Sequence, residues 1–368
     1  MVSAMAATPR HGARVRVMIV DDSAVVRGLT KRWLESEPSI EIVSVCTDGQ
    51  RAVQEIAKIK PDVVILDVEM PVMDGLTALP QLHRLAPHAR IIMASTLTRE
   101  GAATTLRALS LGAADYIAKP EATSLGGAGE YQRELVEKIK ALGGAAQSAS
   151  SPAPRRPVAQ LARQPASMSA SRPFRPRILV IASSTGGPQA LQNFLPEVAR
   201  SVDLPILIVQ HMPKTFTTIL AEKLSKICGR PCIEPQSGDP IRKGVIYLAP
   251  GDFHMRVAKS ATGMEVIQLD QGPAVNFCRP AADPLFSTAV DRFGGAILGV
   301  VLTGMGHDGR DGAGLIQKAG GRVIVQDEAS SVVWGMPGAV AMAGFANEIK
   351  PIPELSRLAI KMMNGDVK

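Results

Sequence analysis

The 368-residue chain reads as two α/β domains joined by a linker. Two observations carry this. In both halves, apolar runs of strand length alternate with helical stretches, the pattern of a parallel sheet covered on both faces. Between them, Ala141–Arg177 is rich in Ala, Pro, Ser and Gln, has no acid and no periodicity, and so lacks the means to bury a core. The expected division is a first domain over 1–140, a flexible Ala/Pro/Ser/Arg-rich linker over 141–175, and a second domain over 176–368.

In the first half, Val15–Val20, Ile40–Cys46, Val63–Asp67, Arg90–Ala94 and Asp115–Ala118 read as five strands. Helices are expected at Val25–Ser36, Gln50–Ile59, Leu76–Leu85, Ala102–Leu111 and Tyr131–Leu142. In the second half, strands are expected at Arg177–Ile181, Pro205–Gln210, Val245–Ala249, Glu265–Leu269, Ala296–Thr303 and Arg322–Gln326. Helices follow at Pro188–Leu195, Thr217–Ile227, Ala281–Phe293 and Gly312–Ala319. In such sheets functional residues gather beyond the carboxyl ends of the strands.

The net charge of +7 would suit nucleic acid or a membrane surface, but its location argues otherwise. Arg155, Arg156, Arg163, Arg172, Arg175 and Arg177 supply +6 of it, all in or beside the linker. The second half also lacks a short helix-turn-helix pattern. No stretch approaches the roughly 20 apolar residues of a membrane helix, and the N-terminus has no signal-peptide pattern. Cys46, Cys228, Cys232 and Cys278 form no paired-ligand spacing and read as reduced, mostly core thiols. A cytoplasmic protein that is not membrane-embedded and binds no nucleic acid is expected.

Asp21 and Asp22 end the first expected strand and Asp67 the third; Ser95 follows the fourth and Lys119 the fifth. Three carboxylates at one rim repel unless a hard cation sits among them, and Mg²⁺ suits carboxylates combined with phosphate oxygens and water. A hydroxyl and an ammonium beside them can bind phosphoryl oxygens, with Asp67 as the acceptor.

In the second half, Ser183-Ser184-Thr185-Gly186-Gly187 follows a strand and opens a helix, exposing a hydroxyl near helix N-terminal amides. His211 and Asp308 each follow another strand, so serine, imidazole and carboxylate converge on one rim, as a Ser-His-Asp system requires. On such a base, the rate should rise through an apparent pKa of roughly 6–7. A rival occupies the same loop. Gly304-x-Gly306-x-x-Gly309, with Asp327 ending the next strand, imitates a dinucleotide-binding fingerprint. A catalytically silent receptor-binding regulator is the other alternative.

The segments VMIVDDSAVVR, VVILDVEMPVMDGL, IIMASTL and DYIAKP resemble the response-regulator receiver domain. The resemblance implies a flavodoxin-like five-stranded parallel sheet, phosphorylation of Asp67 by a histidine kinase's phosphoryl group, and Mg²⁺ held by Asp21, Asp22 and Asp67. It makes Ser95 the switch hydroxyl, Lys119 the phosphate-sensing cation and Tyr116 the aromatic that changes rotamer. ASSTGGPQAL, VQHMP, YLAPGDFHM, RPAADPLFSTA, LTGMGHDGRDG and QDEASSVVWGMPGAV resemble the catalytic domain of the chemotaxis protein-glutamate methylesterases, the CheB family. That resemblance implies Ser184 as nucleophile, His211 as base, Asp308 as orienting carboxylate, the Met305 amide as oxyanion donor and Thr185 as support for the serine loop. Ser183 is a second hydroxyl of open role, and His307 departs from the asparagine frequent there. The implied reaction removes methyl esters from glutamates of methyl-accepting chemoreceptors and deamidates receptor glutamines, with no cofactor in the catalytic domain.

Overall fold

The computed structural model describes residues 14–119, 127–149 and 174–366. It contains two parallel sheets flanked by helices and one separate two-stranded ribbon.

The first sheet is built from β1 (Val15–Val20), β2 (Ile40–Cys46), β3 (Val63–Asp67), β4 (Arg90–Ser95) and β5 (Asp115–Ala118). Its order is β2-β1-β3-β4-β5, and all pairs are parallel. The helices are α1 (Ala24–Glu35), α2 (Gly49–Ile59), α3 (Gly75–Leu85), α4 (Arg99–Ser110) and α5 (Gly127–Ala149). Every residue of β3, VVILD, is buried, as a central strand covered on both faces demands. Asp48 caps α2 through the Arg51 amide and Asp74 caps α3 through the Thr77 amide, each satisfying an orphan donor of the first turn. The expected linker boundary at 141 is corrected: α5 continues to Ala149, with Leu142 and Ala146 buried, so 141–149 are helical. Most of the remaining expected linker, 150–173, lies outside the described residues.

The second unit holds β6 (Ile178–Ser183), α6 (Gly187–Ser201), β7 (Ile206–Gln210), α7 (Lys214–Cys228), β8 (Cys232–Ile233) and β9 (Ile246–Leu248). It continues through β10 (His254–Lys259), β11 (Glu265–Asp270), α8 (Ala282–Phe293), β12 (Ile297–Val301) and α9 (Arg310–Lys318). It closes with β13 (Arg322–Gln326), α10 (Met336–Met342), β14 (Glu348–Lys350) and α11 (Ile352–Asn364). Seven strands form one parallel sheet in the order β14-β13-β12-β6-β7-β9-β8. The chain starts at β6 in the middle, winds outward through β7, then returns to β12 on the other side. The direction therefore switches between β6 and β12, where open α/β sheets place their ligands.

One expected strand sits elsewhere. β11 pairs antiparallel with β10 in a separate two-stranded ribbon. Its alternation explains this: the His254–Asp270 and Arg256–Gln268 pairs share one face and Met255–Leu269 and Val257–Ile267 the other, so the strand reads as part of a two-sided ribbon and not as an all-covered parallel strand. The ribbon's apolar side, Met255, Val257 and Ile267, joins a core with Val180, Val209, Phe286 and Met336. No described helix is long and apolar enough to cross a membrane.

Candidate functional sites

At the carboxyl rim of the first sheet, Asp21 and Asp67 are buried and Asp22 is exposed. A ligand oxygen from each lies within 4.8 Å of the others. The Lys119 ammonium bridges two of them, 2.8 Å from Asp21 Oδ2 and 2.7 Å from Asp67 Oδ2. Burial raises the Asp67 carboxyl above the ordinary range, against the opposing pull of Lys119. A carboxylate that is buried, costly to ionise and held by one cation is suited to accept a second cation or a phosphoryl group. The three hard oxygen donors, two fixed and one open to water, fit a divalent ion. Gly75 is required beside them, because a Cβ there would stand 2.1 Å from the Asp67 carbonyl oxygen.

Ser95 is buried at the end of β4, next to the Ala94–Asp67 register. Tyr116 is buried on β5, with Lys138 4.9 Å over its ring and donating to its carbonyl oxygen. Tyr116 stands further back than the others: it pairs with Met93, two positions before the Ser95–Ala118 pair at the end of the strands.

In the second sheet, β12, β6 and β7 are neighbours, and Asp308, Ser184 and His211 follow them. The His211 amide donates to the Ser183 carbonyl, continuing the β6–β7 ladder past the strand ends. His211 Nε2 lies 2.8 Å from Asp308 Oδ2. That carboxylate is also the anchor of α8: Oδ2 accepts from the Ala282 amide at 2.5 Å, and Oδ1 accepts from the Asp283 amide at 3.2 Å and from Asn276 Nδ2 at 3.0 Å. Burial opposes the Asp308 charge, but His211, the Ala282 amide and Asn276 overcome it and hold the pKa at about 2. An ionised Asp308 accepts, so Nε2 carries a proton and Nδ1 is the basic nitrogen.

Ser184 is half-buried on the turn into α6. Gly186 holds φ at +75° there, and any Cβ on it would meet Val332 at 2.5 Å. The Ser184 amide donates to Thr303, so it is not available as an oxyanion donor. The Met305 amide has no hydrogen-bond partner among the described residues, and it follows Gly304, which packs on Ser184. Thr185 is buried, and its carbonyl accepts from the Thr303 hydroxyl at 2.9 Å, tying the serine turn to β12.

The two serines separate clearly. Ser183 is fully buried and its hydroxyl donates to Gln210 Oε1 at 2.7 Å. The Ser184 hydroxyl has no hydrogen bond among the described residues. His307 is exposed, with its carbonyl accepting from Arg310.

The glycine-rich loop does not form a dinucleotide cradle. A Cβ on Gly304 would lie 2.4 Å from Met336 Sδ and 2.9 Å from Ser184 Cβ, so the loop packs against the serine turn. Asp327 Oδ1 accepts from the Ser330 amide in its own turn.

Sequence reasoning missed Gln210, Asn276 and Cys278. Gln210 carries the Ser183 bond and donates to the Ser184 carbonyl at 3.0 Å. Its signal was its burial-incompatible polarity at the end of an otherwise apolar strand. Cys278, read with the core thiols, is half-buried, with Sγ 3.3 Å from His211 Nδ1. It precedes the RPAAD run in a loop with no periodicity to flag it.

Fold and sites together define a phosphorylatable receiver joined to an α/β hydrolase. Residues 17–125 match the response regulator receiver domain, and residues 179–358 match CheB methylesterase. A Caulobacter vibrioides protein named protein-glutamate methylesterase/protein-glutamine glutaminase 2 is 53% identical over 93% of this chain and 96% of its own. A Rhodopseudomonas palustris protein-glutamate methylesterase/protein-glutamine glutaminase is 50% identical over 98% of this chain and 97% of its own. The solved Thermotoga maritima CheB methylesterase catalytic domain is 36% identical, covers 51% of this chain and 98% of that one, and gives a TM-score of 0.49. The chain belongs to the CheB methylesterase family.

Proposed function

We propose that this protein is a phosphorylation-controlled protein-glutamate methylesterase that also deamidates glutamines. Its substrates are methyl-accepting chemoreceptors, and it works in the cytoplasm. The observation that supports the reading is that Ser184, His211 and Asp308 follow three adjacent strands of one sheet, with His211 and Asp308 2.8 Å apart.

Ser184 Oγ attacks the ester carbonyl as His211 Nδ1 takes its proton. Nε2–H stays bonded to Asp308, which stabilises the imidazolium. The Met305 amide receives the developing oxyanion, and Thr185 steadies the serine turn. His211 returns its proton to the departing methoxide, giving methanol and an acyl-serine. Water then releases the glutamate with the same base. A glutamine side chain follows the same path, with ammonia leaving.

In the receiver, Asp67 accepts a phosphoryl group from a histidine kinase. Mg²⁺ fits the oxygens of Asp21, Asp22 and Asp67, and when bound it offsets the charge of the incoming phosphoryl oxygens. Lys119 and Ser95 are placed to bind those oxygens, and Tyr116 reports the change on β5.

The test is methanol release from methylated receptor membranes. Ser184→Ala should lose about 10⁴–10⁶-fold in rate while remaining folded. Activity persisting in that variant would leave a receptor-binding regulator whose serine does no chemistry.

A further inference from the structure

His211 has two neighbours, one on each ring nitrogen. Nε2 is bonded to Asp308, and Nδ1 faces Cys278 Sγ at 3.3 Å. Both nitrogens are thus engaged, and the Ser184 hydroxyl is bonded to neither.

The thiol is held in place by a built loop between β11 and α8. Val275 and Cys278 exchange two backbone hydrogen bonds, at 3.1 and 2.9 Å. Asn276 and Phe277 between them take left-handed backbone, at φ +52° and +62°, a conformation non-glycine residues adopt only where surroundings impose it. What imposes it is visible: Asn276 Nδ2 donates to both Asp308 and Asp283, each at 3.0 Å. The network that fixes the carboxylate on one side of the imidazole therefore fixes the sulfur on the other.

We propose that Cys278 is a positioning residue of the esterase: its sulfur holds the proton-accepting nitrogen of His211, and Ser184 gains that nitrogen only when the thiol gives it up. This rests on the reading of Ser184 and His211 as nucleophile and base. In the resting pair one proton is shared between Sγ and Nδ1; in the working pair that proton stays on sulfur as the thiol turns away, and Nδ1, with its lone pair free, takes the Ser184 proton instead.

The electrostatics point the same way. The titratable groups at the ring are Cys278 from the β11–α8 loop and Asp308 from the β12–α9 loop, with Asp283 sharing Asn276 with Asp308. Burial of the ring opposes its positive charge, but Cys278 at one nitrogen and Asp308 at the other outweigh it and push His211 up to about 10. These neighbours put the expectation for His211 above the ordinary histidine range of roughly 6–7. An imidazole with so high a pKa is mostly protonated at neutral pH and a poor base there.

The experiment is the pH profile of kcat/KM for methanol release, on the full-length protein, for wild type, Cys278→Ala, Cys278→Ser and Ser184→Ala. The wild-type acid limb should lie above the ordinary range of roughly 6–7. Cys278→Ala should move it down by about one pH unit or more, raising the rate near neutrality about tenfold through kcat with KM little changed. Cys278→Ser, which keeps a hydrogen-bonding group on a shorter side chain, should fall between. Acid limbs that coincide in wild type and Cys278→Ala overturn the proposal; if Cys278→Ala does not fold, the same comparison is made with Cys278→Ser. Loss of activity in Ser184→Ala together with an unmoved limb sinks this proposal alone. Activity retained in Ser184→Ala and abolished in Cys278→Ala makes the thiol the nucleophile, and the serine reading falls with it.

Discussion

Gly304 lies directly against Ser184: a methyl group on its Cα would stand 2.9 Å from Ser184 Cβ and 2.4 Å from Met336 Sδ. The glycine is thus a spacer that sets the distance between the β12 loop and the serine turn. Gly304→Ala should displace one or the other. Overpacking of this kind costs about 1–3 kcal/mol, and a shift of about 1 Å at the reacting atoms costs about 10²-fold in rate. Thermal melting and kcat/KM measured on one preparation would check both; full activity in Gly304→Ala would show that the spacing is not demanded.

The two adjacent serines should behave oppositely. Ser183→Ala keeps the Ser184 hydroxyl but leaves the buried Gln210 Oε1 without its donor. The expected outcome is a stability loss of about 1–3 kcal/mol with most activity retained. Ser184→Ala should melt as the wild type does and be inactive. Denaturant unfolding beside the methanol assay separates them, and the reverse pattern would transfer the nucleophile to Ser183.

The His211–Asp308 pair sets a pH window for stability. His211 is raised to about 10, so its contribution is complete below the unfolded value of roughly 6.5 and is lost as pH climbs through about 10. Asp308 is lowered to about 2, so its contribution is complete above roughly 3.9 and is lost as pH falls through about 2. The stability gap between wild type and His211→Gln should therefore be widest in the weakly acidic range and close toward alkaline pH. Activity, which needs neutral His211, should rise over that same alkaline span. Calorimetry of both proteins across pH would reveal a gap that fails to narrow.

Phosphoryl transfer to the receiver should need both Asp67 and a divalent ion. With acetyl phosphate and Mg²⁺, the wild type should incorporate phosphate and accelerate methanol release, while Asp67→Asn should stay at the resting rate. Chelation with EDTA should abolish incorporation but leave the resting esterase rate intact, because the proposed chemistry of Ser184, His211 and Asp308 runs by proton transfer and acyl transfer alone. Phosphate uptake by Asp67→Asn would move the acceptor to another residue.

The sequence made the strand ends legible because both sheets are parallel. Buried strands such as VVILD and ILIVQ stand out as apolar runs, and whatever polar residue follows them lies on the functional rim. Asp67 and His211 were visible for that reason. β14 was not, because Glu348-Ile349-Lys350 is a short edge strand with hardly any apolar pattern. β11 was visible as a strand but not as part of a ribbon, since pairing direction leaves no mark on a single strand. Cys278 was hidden for a different reason. Its position depends on two left-handed residues and a side-chain network from α8 and the β12 loop, and such contacts have no period along the chain.

Asp308 begins a helix with the same oxygens that hold the base. Anyone transplanting these three side chains to another scaffold would have to carry the first turn of α8 with them. Without those amides the carboxylate would drift toward ordinary acidity and free rotation, and the ring it steers would lose its heading. The unit of inheritance here is a trio plus a helix start, and directed evolution that loosens one would blur the other.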